Sequence, residues 1–349
     1  MGNLCGNFAS EDPVPRNRIS KLKRSSKATS TNLGSSIPTS KVDVSSAISL
    51  KSFSLDDLKI ATKDFSWNSF LGEGTLGVVY KGWIDRKTFA PTRPGVGTAV
   101  AVKKQKLGSL QGHKEWLSEI TYLGQFHHEN LIKLVGYCSE FNSKLLVYEY
   151  MQRGRLDNHL FRGGAQLFSW TVRVKIAIDV ARALSFLHSL ETPVIYRNLK
   201  ASDVLLDSDF KAKLSDFGLA RNGPTGDETH VSTRVVGTHG YVAPEYLATG
   251  HLTVKCDVYD YGILLLELLS GRKAESFYTE KRKIKMDARL EGQCSKKEAR
   301  VIYVLALRCS DGDPRKRPNM TEVLTTLEGL HKSEAMPLPR VDHSRNQNL

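Results

Sequence analysis

The sequence predicts an α+β fold of two lobes, a small lobe rich in β-strands followed by a larger lobe of α-helices. β-Branched runs lie in the first half of the chain, and long segments with helical apolar periodicity lie in the second. With 349 residues, the chain is too long for one minimal domain. We therefore expect one domain over 51–331, with its strand-rich lobe at about 66–151 and its helical lobe at about 152–331.

The strand-rich lobe is predicted from three short apolar runs and two helices. A short helix is expected over 53–65, ahead of the first strand, and a second over 115–126, where apolar residues recur at helical spacing. The predicted strands are Val78–Tyr80, Ala99–Val102 and Leu145–Tyr148.

The helical lobe is predicted from three further segments. Residues 172–190 place apolar side chains on one helical face, and 262–269 and 299–309 are shorter segments of the same kind. Glu267 interrupts the most apolar run of the chain, so this run predicts a buried helix and not a membrane span.

The two ends of the chain predict tails. Residues 1–50 are rich in Ser, Thr, Lys and Arg, with no acidic residue between Pro13 and Ser40, which predicts a disordered basic segment. Residues 332–349 predict a polar tail. The first five residues, MGNLC, resemble an acylation signal, with Gly2 as the myristoyl and Cys5 as the palmitoyl acceptor, although Gly6 stands where Ser or Thr is usual.

One acyl chain binds membranes only marginally, so a second signal is needed, and Cys5 and the basic cluster are both candidates. We therefore expect attachment to the anionic cytoplasmic face of the plasma membrane. The alternative is an unacylated tail on a protein of the cytoplasm. The five cysteines are scattered without metal-ligand or disulfide spacing, which favours a reducing interior.

The formal charge of +13 raises the possibility of nucleic-acid binding. Basic residues are spread through the chain, however, and no nucleic-acid recognition module accompanies them. We therefore expect no nucleic-acid partner. Salt-sensitive binding of DNA or RNA by the domain would contradict this expectation.

The segment GEGTLGVV at 72–79 matches the pattern G-x-G-x-x-G-x-V, whose glycines let the backbone approach phosphates closely. A dinucleotide-binding motif would need a helix after the glycines, but a strand follows, so we predict a hairpin. Further along, Lys103 lies on a predicted strand in VAVK, and Glu119 lies on the next predicted helix. DFG at 216–218 and APE at 243–245 complete an ordered set that chance does not explain.

Together these motifs make residues 53–330 similar to the plant receptor-like cytoplasmic kinases, of the PBS-like branch. These are Ser/Thr protein kinases that work beneath immune and developmental receptors. The segments that carry the resemblance are LGEG (71–74), VAVKK (100–104), NLIKLVGY (130–137), LVYEYM (146–151) and TRVVGTHGY (233–241). The resemblance implies a two-lobed protein-kinase fold with a cleft for ATP and Mg²⁺.

By this resemblance, Lys103 would hold the α/β-phosphates and pair with Glu119. Tyr148 would be the gatekeeper, and the backbone from Glu149 to Met151 would contact adenine. The other residues implied in nucleotide binding are Leu71, Gly72, Gly74, Gly77, Val79, Ala101 and Leu205. The resemblance also implies that Asp257 anchors the catalytic loop and that Arg317 pairs with Glu245.

The catalytic loop departs from the family pattern H-R-D-x-x-x-x-N, because residues 196–203 are YRNLKASD. In the pattern, the Asp accepts the proton of the substrate hydroxyl and the Asn holds a metal ion. Here Asn198 stands at the base position, and Asp203 stands at the metal position beside Asp216. Arg197 and Lys200 of the catalytic set are retained, and Tyr196 in place of His is common in this branch.

A carboxamide cannot take up a proton near neutral pH, and loss of a positioned base typically costs on the order of 10²–10⁴ in rate. We therefore expect a pseudokinase that binds ATP and Mg²⁺ but turns over poorly, acting as an adaptor, decoy or allosteric partner. Its expected partners are receptor kinases or immune receptors and other cytoplasmic kinases. The alternative is an active Ser/Thr kinase that uses the exchanged pair to transfer the γ-phosphate to protein hydroxyls.

Two further features bear on this choice. Residues 273–287 are shorter than the matching family segment and carry the basic run 281–283, which reflects either an error in the sequence or a lost substrate-docking helix. Ser232, Thr233 and Thr238 are candidate phosphorylation sites, whose phosphate Arg197 would help to bind. We expect an active partner kinase to be the enzyme that modifies them.

Overall fold

A computed structural model describes residues 50–74, 77–106, 110–161, 168–238, 240–279 and 285–334. Gly2, Cys5, most of both predicted tails and the basic run 281–283 lie outside the described residues. Within the described part of the chain, no helix combines the length and the apolar character needed to cross a membrane.

The first lobe is built on a six-stranded sheet with the strand order β1-β5-β6-β4-β3-β2. Its strands are β1 (Lys51–Ser52), β2 (Phe70–Glu73), β3 (Gly77–Ile84), β4 (Thr98–Gln105), β5 (Leu134–Glu140) and β6 (Ser143–Glu149). In β4 the side chains alternate between the two faces of the sheet. Val100 and Val102 are buried, while Ala101 and Lys103 lie on the other face.

Two helices pack on this sheet, α1 (Leu55–Thr62) and α2 (Leu110–Gln125). Ser54 begins α1 by accepting a hydrogen bond from the Asp57 amide at 3.0 Å, as an N-cap residue does. β1 and α1 thus add residues ahead of the 66–151 range expected for this lobe. In α2, the buried ring of Trp116 donates its Nε1 hydrogen to the Leu145 carbonyl at 3.1 Å, which ties the helix to β6.

The second lobe contains seven helices among the described residues. They are α3 (Leu156–Leu160), α4 (Trp170–His188), α5 (Pro244–Thr249), α6 (Val254–Ser270), α7 (Glu275–Thr279), α8 (Lys296–Cys309) and α9 (Met320–Glu334). Seven short strands accompany them: β7 (Gly154–Arg155), β8 (Val194–Ile195), β9 (Val204–Leu206), β10 (Ala212–Leu214), β11 (Arg221–Asn222), β12 (Val231–Ser232) and β13 (His251–Leu252). β7, β9 and β10 form a three-stranded sheet, β8 pairs with β11, and β12 pairs with β13. α6 is buried from Cys256 to Ser270 and forms the centre of this lobe.

The predicted two-lobed α+β architecture is confirmed. One core cluster lies between the sheet and α1, including Leu58, Val102 and Val147, and a larger one fills the helical lobe and extends under α2. Each predicted strand and helix is present, and most ends differ by a few residues, but α6 begins at Val254 and not at the predicted 262.

A buried ion pair holds the end of the 273–287 segment. The Arg173 guanidinium donates to Asp287 at 2.7 Å and to the Leu268 carbonyl at 2.8 Å, and Arg289 reaches Asp287 from the other side at 2.7 Å. Burial opposes the charge of Asp287, but the two arginines outweigh it and lower the pKa of this carboxyl to about 2. These contacts fix the position of Asp287, from which the chain continues towards α8.

Candidate active site

The glycine-rich segment forms a hairpin between β2 and β3, as predicted, with residues 75–76 outside the described part of the chain. The Gly74 amide donates to the Gly77 carbonyl at 2.8 Å. A Cβ atom on Gly77 would lie 2.6 Å from the Lys104 carbonyl oxygen, so this position needs glycine to pack on β4. A Cβ on Gly72 or Gly74 would meet nothing closer than 3.9 Å, which leaves open space for close approach of a phosphate.

The residues expected to enclose adenine lie around the cleft between the lobes. Val79 pairs with Lys103 across β3 and β4, and Ala101 pairs with Tyr148 across β4 and β6. Val79, Ala101 and Leu205 are partly exposed, and Leu71 is 42% exposed, as expected for side chains that line an open cleft.

The connection between the lobes is fixed by its side chains. Glu149 accepts hydrogen bonds from the Lys133 amide at 2.8 Å and from the Lys213 ammonium at 2.6 Å. Met151 is buried in the core of the helical lobe. The segment from Glu149 to Met151 is therefore held at both ends.

Lys103 is held between two carboxylates. Its Nζ lies 2.6 Å from Glu119 Oε1 and 3.3 Å from Asp216 Oδ1. Burial opposes the charge on Lys103, but Asp216 and Glu119 outweigh it and raise the pKa of the lysine. In return, the Lys103 charge lowers the pKa of Asp216. Lys103 is therefore a permanent cation in the cleft, placed as a phosphate-binding lysine needs to be.

Two contacts fix the position of the α2 helix relative to the cleft. The Tyr148 hydroxyl donates to Glu119, so the predicted gatekeeper also orients the glutamate that pairs with Lys103. The Ser118 hydroxyl donates to the Phe217 carbonyl at 2.9 Å. The Phe217 ring is fully buried and packs edge-on against Tyr196 at 5.2 Å. These contacts link α2 to the DFG segment and the catalytic loop.

The catalytic loop is anchored on α6. Asp257, which is fully buried, accepts hydrogen bonds from the Tyr196 amide at 2.8 Å and from the Arg197 amide at 2.7 Å. Asp260, one turn later on the helix, accepts one from the Leu199 amide at 3.2 Å. The anchoring implied for Asp257 is therefore present, and it holds the backbone on both sides of Asn198.

Asn198 lies in a hydrogen-bonded group with two other side chains. The Thr238 hydroxyl donates to Asn198 Oδ1 at 3.0 Å, and Lys200 Nζ donates to the same hydroxyl oxygen at 3.4 Å. The other end of the Asn198 amide is an NH₂ group, which donates hydrogen bonds and cannot accept a proton. The base position thus has a well-ordered side chain without a basic atom.

Asp203 and Asp216 are two carboxylates close enough to influence each other electrostatically. Asp203 is 6% exposed and accepts a hydrogen bond from the Ser202 hydroxyl at 3.1 Å, with Lys200 Nζ 3.9 Å away. Burial, and then the Asp216 charge, raise the pKa of Asp203 well above its usual value. The raised pKa favours the neutral form of Asp203 in the absence of a cation, whereas Asp216 is paired with Lys103 at 3.3 Å.

This donor set fits Mg²⁺, which takes carboxylate oxygens and usually needs only one or two of them together with substrate phosphates. No cluster of three or more His, Cys, Asp or Glu side chains of metal-binding type occurs in the described ranges. When bound together, ATP provides the transferable phosphoryl group and Mg²⁺ offsets its negative charge. Asp203 and Asp216 are the residues that would hold the metal.

The side chain of Arg197 contacts the activation segment, by which we mean the residues from DFG (216–218) to APE (243–245). Its Nη2 atom donates to the Thr233 hydroxyl at 3.1 Å and to the Arg234 carbonyl at 2.6 Å. Tyr246 was not predicted from the sequence, but its hydroxyl accepts hydrogen bonds from Arg197 Nε at 3.0 Å and from Nη2 at 2.8 Å. Burial, with Arg221 and Arg234 nearby, lowers the pKa of Arg197. A phosphate on Thr233 would therefore meet a site of positive charge.

The three candidate phosphorylation sites differ in their surroundings. Ser232 is exposed on β12, whereas Thr233 is half-buried beside Arg197. Thr238 is bound to Asn198 and Lys200, as described above.

The end of the activation segment is fixed by the pair implied by the family resemblance. Arg317 is 2% exposed and makes two parallel contacts with the Glu245 carboxylate, each at 2.7 Å. A second contact was not predicted: the Tyr241 hydroxyl donates to Glu267 on α6. Glu267 is fully buried, and this burial raises its pKa to about 7.

The lobes, the cleft and these contacts are those of a protein kinase domain. The family model described as protein tyrosine and serine/threonine kinase matches residues 65–327. The probable serine/threonine-protein kinase PBL11 of Arabidopsis thaliana is 50% identical over 349 residues, which cover 93% of this chain and 90% of that protein. Receptor-like cytoplasmic kinase 176 of Oryza sativa subsp. japonica is 48% identical over 360 residues, covering 96% and 91%. The chain therefore belongs to the plant receptor-like cytoplasmic Ser/Thr kinase family.

Proposed function

We propose that this protein is a pseudokinase, a catalytically impaired member of the family that binds ATP with Mg²⁺ and regulates other signalling proteins. It would act as an adaptor, decoy or allosteric partner of receptor kinases, immune receptors or other cytoplasmic kinases. The observation that carries this proposal is the carboxamide of Asn198 at the base position, hydrogen-bonded to Thr238 at 3.0 Å.

Nucleotide binding is supported by the contacts around the cleft. Lys103 is ion-paired with Glu119 and Asp216, and the glycine hairpin leaves room for phosphates. The Asp203 and Asp216 carboxylates supply the metal ligands in this proposal. None of these groups depends on the residue at position 198.

Phosphoryl transfer, unlike nucleotide binding, depends on the residue at position 198, because the attacking hydroxyl must lose its proton. Asn198 can orient the hydroxyl by hydrogen bonding but cannot accept that proton. Asp203 is a poor replacement, because it faces Asp216 and the metal position, and the Ser202 hydroxyl and Lys200 are its other neighbours. The proton therefore has no acceptor in the catalytic loop.

The alternative function is an active Ser/Thr kinase. The intact set of Lys103, Glu119 and Asp216 favours it, since a working kinase needs these contacts in place. The names of the relatives, which describe them as probable or actual kinases, favour it as well.

The location and regulation of the protein complete the proposal. Acylation of Gly2 and Cys5 would attach the protein to the cytoplasmic face of the plasma membrane, where receptor kinases signal. Phosphorylation of Thr233 by an active partner kinase would add charge beside Arg197 and fix the activation segment, and Ser232 and Thr238 are the other candidate sites.

Two measurements on the purified full-length chain test the proposal. ATP binding in the presence of Mg²⁺ should be saturable and should be lost in Lys103→Met. Transfer of the γ-phosphate to a general protein substrate should be no greater in the native chain than in Lys103→Met. Robust transfer that Lys103→Met abolishes would establish the active-kinase alternative instead.

A further inference from the structure

The α8 helix has an unusual outer face. Six of its residues are exposed, and none of the six is acidic. They are Lys296, Lys297, Arg300, Val304, Leu307 and Arg308. At about 100° per residue, all six fall within an arc of about 120° on the helix circumference. We call these six residues the α8 basic face.

The opposite side of α8 packs into the core of the helical lobe, which is the role of this helix in the fold. Ile302, Leu305, Ala306 and Cys309 are buried in the core of the helical lobe. The acidic residue of the helix, Glu298, accepts a hydrogen bond from the Ser295 amide at 2.9 Å as part of a capping box. Packing and capping thus leave the composition of the α8 basic face unexplained.

Two properties of this face work against the stability of the isolated molecule. Lys296 and Lys297 lie in the first turn of the helix, where the helix dipole favours acidic residues and opposes cations. Val304 and Leu307 are 45% and 44% exposed one turn apart, on the outer side of a helix that already has a buried apolar side. A ligand that is anionic and offers an apolar interior would offset both costs.

From this combination we propose that the α8 basic face docks on an anionic lipid leaflet rich in phosphatidylserine. Lysine and arginine would contact the lipid headgroups over about 18 Å of helix, while Val304 and Leu307 would enter the layer beneath them. An acidic protein surface is a poorer match, because protein interfaces deplete lysine and use Trp and Tyr as anchors, which the α8 basic face lacks. The lipid contact would hold the kinase domain itself against the membrane, in addition to the amino-terminal attachment proposed above. It depends on no residue of the nucleotide cleft.

Vesicle binding of the unacylated full-length chain tests this proposal. Phosphatidylcholine vesicles with and without phosphatidylserine are compared for the native chain, Arg300→Glu/Arg308→Glu and Val304→Ser/Leu307→Ser. The matched control is Arg86→Glu/Lys87→Glu, an exposed basic pair between β3 and β4. Both charge variants lower the formal charge equally, from +13 to +9, because each of two reversals removes two units. The basic amino-terminal tail is present in every sample.

A basic residue close to an anionic leaflet contributes about fivefold in partitioning. Partitioning of Arg300→Glu/Arg308→Glu onto phosphatidylserine vesicles should therefore fall about 25-fold or more. It should also fall in Val304→Ser/Leu307→Ser, whose net charge is unchanged, and the control should lose much less. All variants should unfold at the same temperature as the native chain, because the changed side chains are exposed.

Two outcomes would overturn the proposal. An equal loss in the control would show that only the overall charge matters. Unchanged partitioning in both α8 variants would exclude the membrane and leave an acidic protein surface as the ligand. Loss in the charge variant alone would overturn the insertion of Val304 and Leu307.

Discussion

Asn198 accepts a hydrogen bond from the Thr238 hydroxyl at 3.0 Å, and so the catalytic loop is linked to the activation segment through a side chain that is not a base. Lys200 joins the same group through the Thr238 hydroxyl oxygen at 3.4 Å. The side chain at position 198 is therefore held by hydrogen bonds, although it is an amide and not a carboxylate. Compared with the family pattern, residues 196–203 keep one acidic residue, but it stands at position 203 and not at position 198.

The first prediction concerns Asn198→Asp, which supplies a carboxylate in the same hydrogen-bonded group. Transfer of the γ-phosphate to a protein substrate should rise by about 10²–10⁴, the usual contribution of a positioned base. The double variant Asn198→Asp/Asp203→Asn, which restores the whole family pattern, should be at least as active. If neither variant gains activity while both still bind ATP, the shortened 273–287 segment limits the reaction instead.

The second prediction concerns the metal. Asp203→Asn removes one of two neighbouring carboxylates, so the apparent affinity for Mn²⁺ or Mg²⁺ should fall by at least about tenfold, since even indirect partners of a metal site contribute this much. Stabilisation against heat, titrated with the cation in the presence of ATP, measures the effect. Asp64→Asn, the same change at an exposed position, should respond like the native chain. An Asp203→Asn titration that superimposes on the native one would contradict the assignment of Asp203 as a ligand.

The third prediction concerns the free energy of unfolding. Lys103→Met leaves Glu119 buried at 1% exposure without its partner, so the variant should lose about 3–5 kcal/mol. Denaturant unfolding measures this loss. The comparison is Lys106→Met, which breaks an exposed pair with Glu73 at 2.7 Å and should cost at most about 1 kcal/mol. Equal losses in the two variants would mean that the Lys103–Glu119 pair is not a buried charge pair in solution.

The fourth prediction concerns pH. Burial raises the pKa of Glu267 from 4.5 to about 7, so the folded protein holds this proton more tightly than the unfolded chain does. The resulting stabilisation is complete below pH 4.5 and is lost as pH rises through about 7. Its size is on the order of 3 kcal/mol. Glu267→Gln, which has no proton to lose, should lack this decline.

Unfolding curves of the native chain, Glu267→Gln and the exposed-site control Glu228→Gln, recorded from acid to neutral pH, test the prediction. The difference between native and Glu267→Gln should change across this interval, and the control should follow the native chain. A difference that is the same at every pH would show that Glu267 does not titrate there.

Much of the fold could be predicted because its signals are local. The β-branched run at 99–102 and the helical spacing at 115–126 each depend on neighbouring residues alone, and both elements are present. The start of α8 was placed at 299, whereas the helix begins at Lys296. The capping box formed by Ser295 and Glu298 was a sequence signal that could have given the right start.

The site could be predicted only as far as its residues belong to motifs. Lys103 and Glu119 pair as the family pattern implies, whereas the contact of Lys103 with Asp216 was not predicted. Tyr246 and Glu267 were missed because their roles depend on partners 49 and 26 residues away in sequence. Single-sequence patterns carry no information on such distant pairs.

The ion pairs of Arg173 and Arg289 with Asp287 determine where the length of this protein could change. Backbone hydrogen bonding at Gly271 and the ion pair at Asp287 hold the two ends of the segment between these residues. The length of this segment can therefore vary while the helices on either side keep their places. A longer stretch transplanted there from an active relative should leave the host scaffold intact and bring its own recognition properties with it.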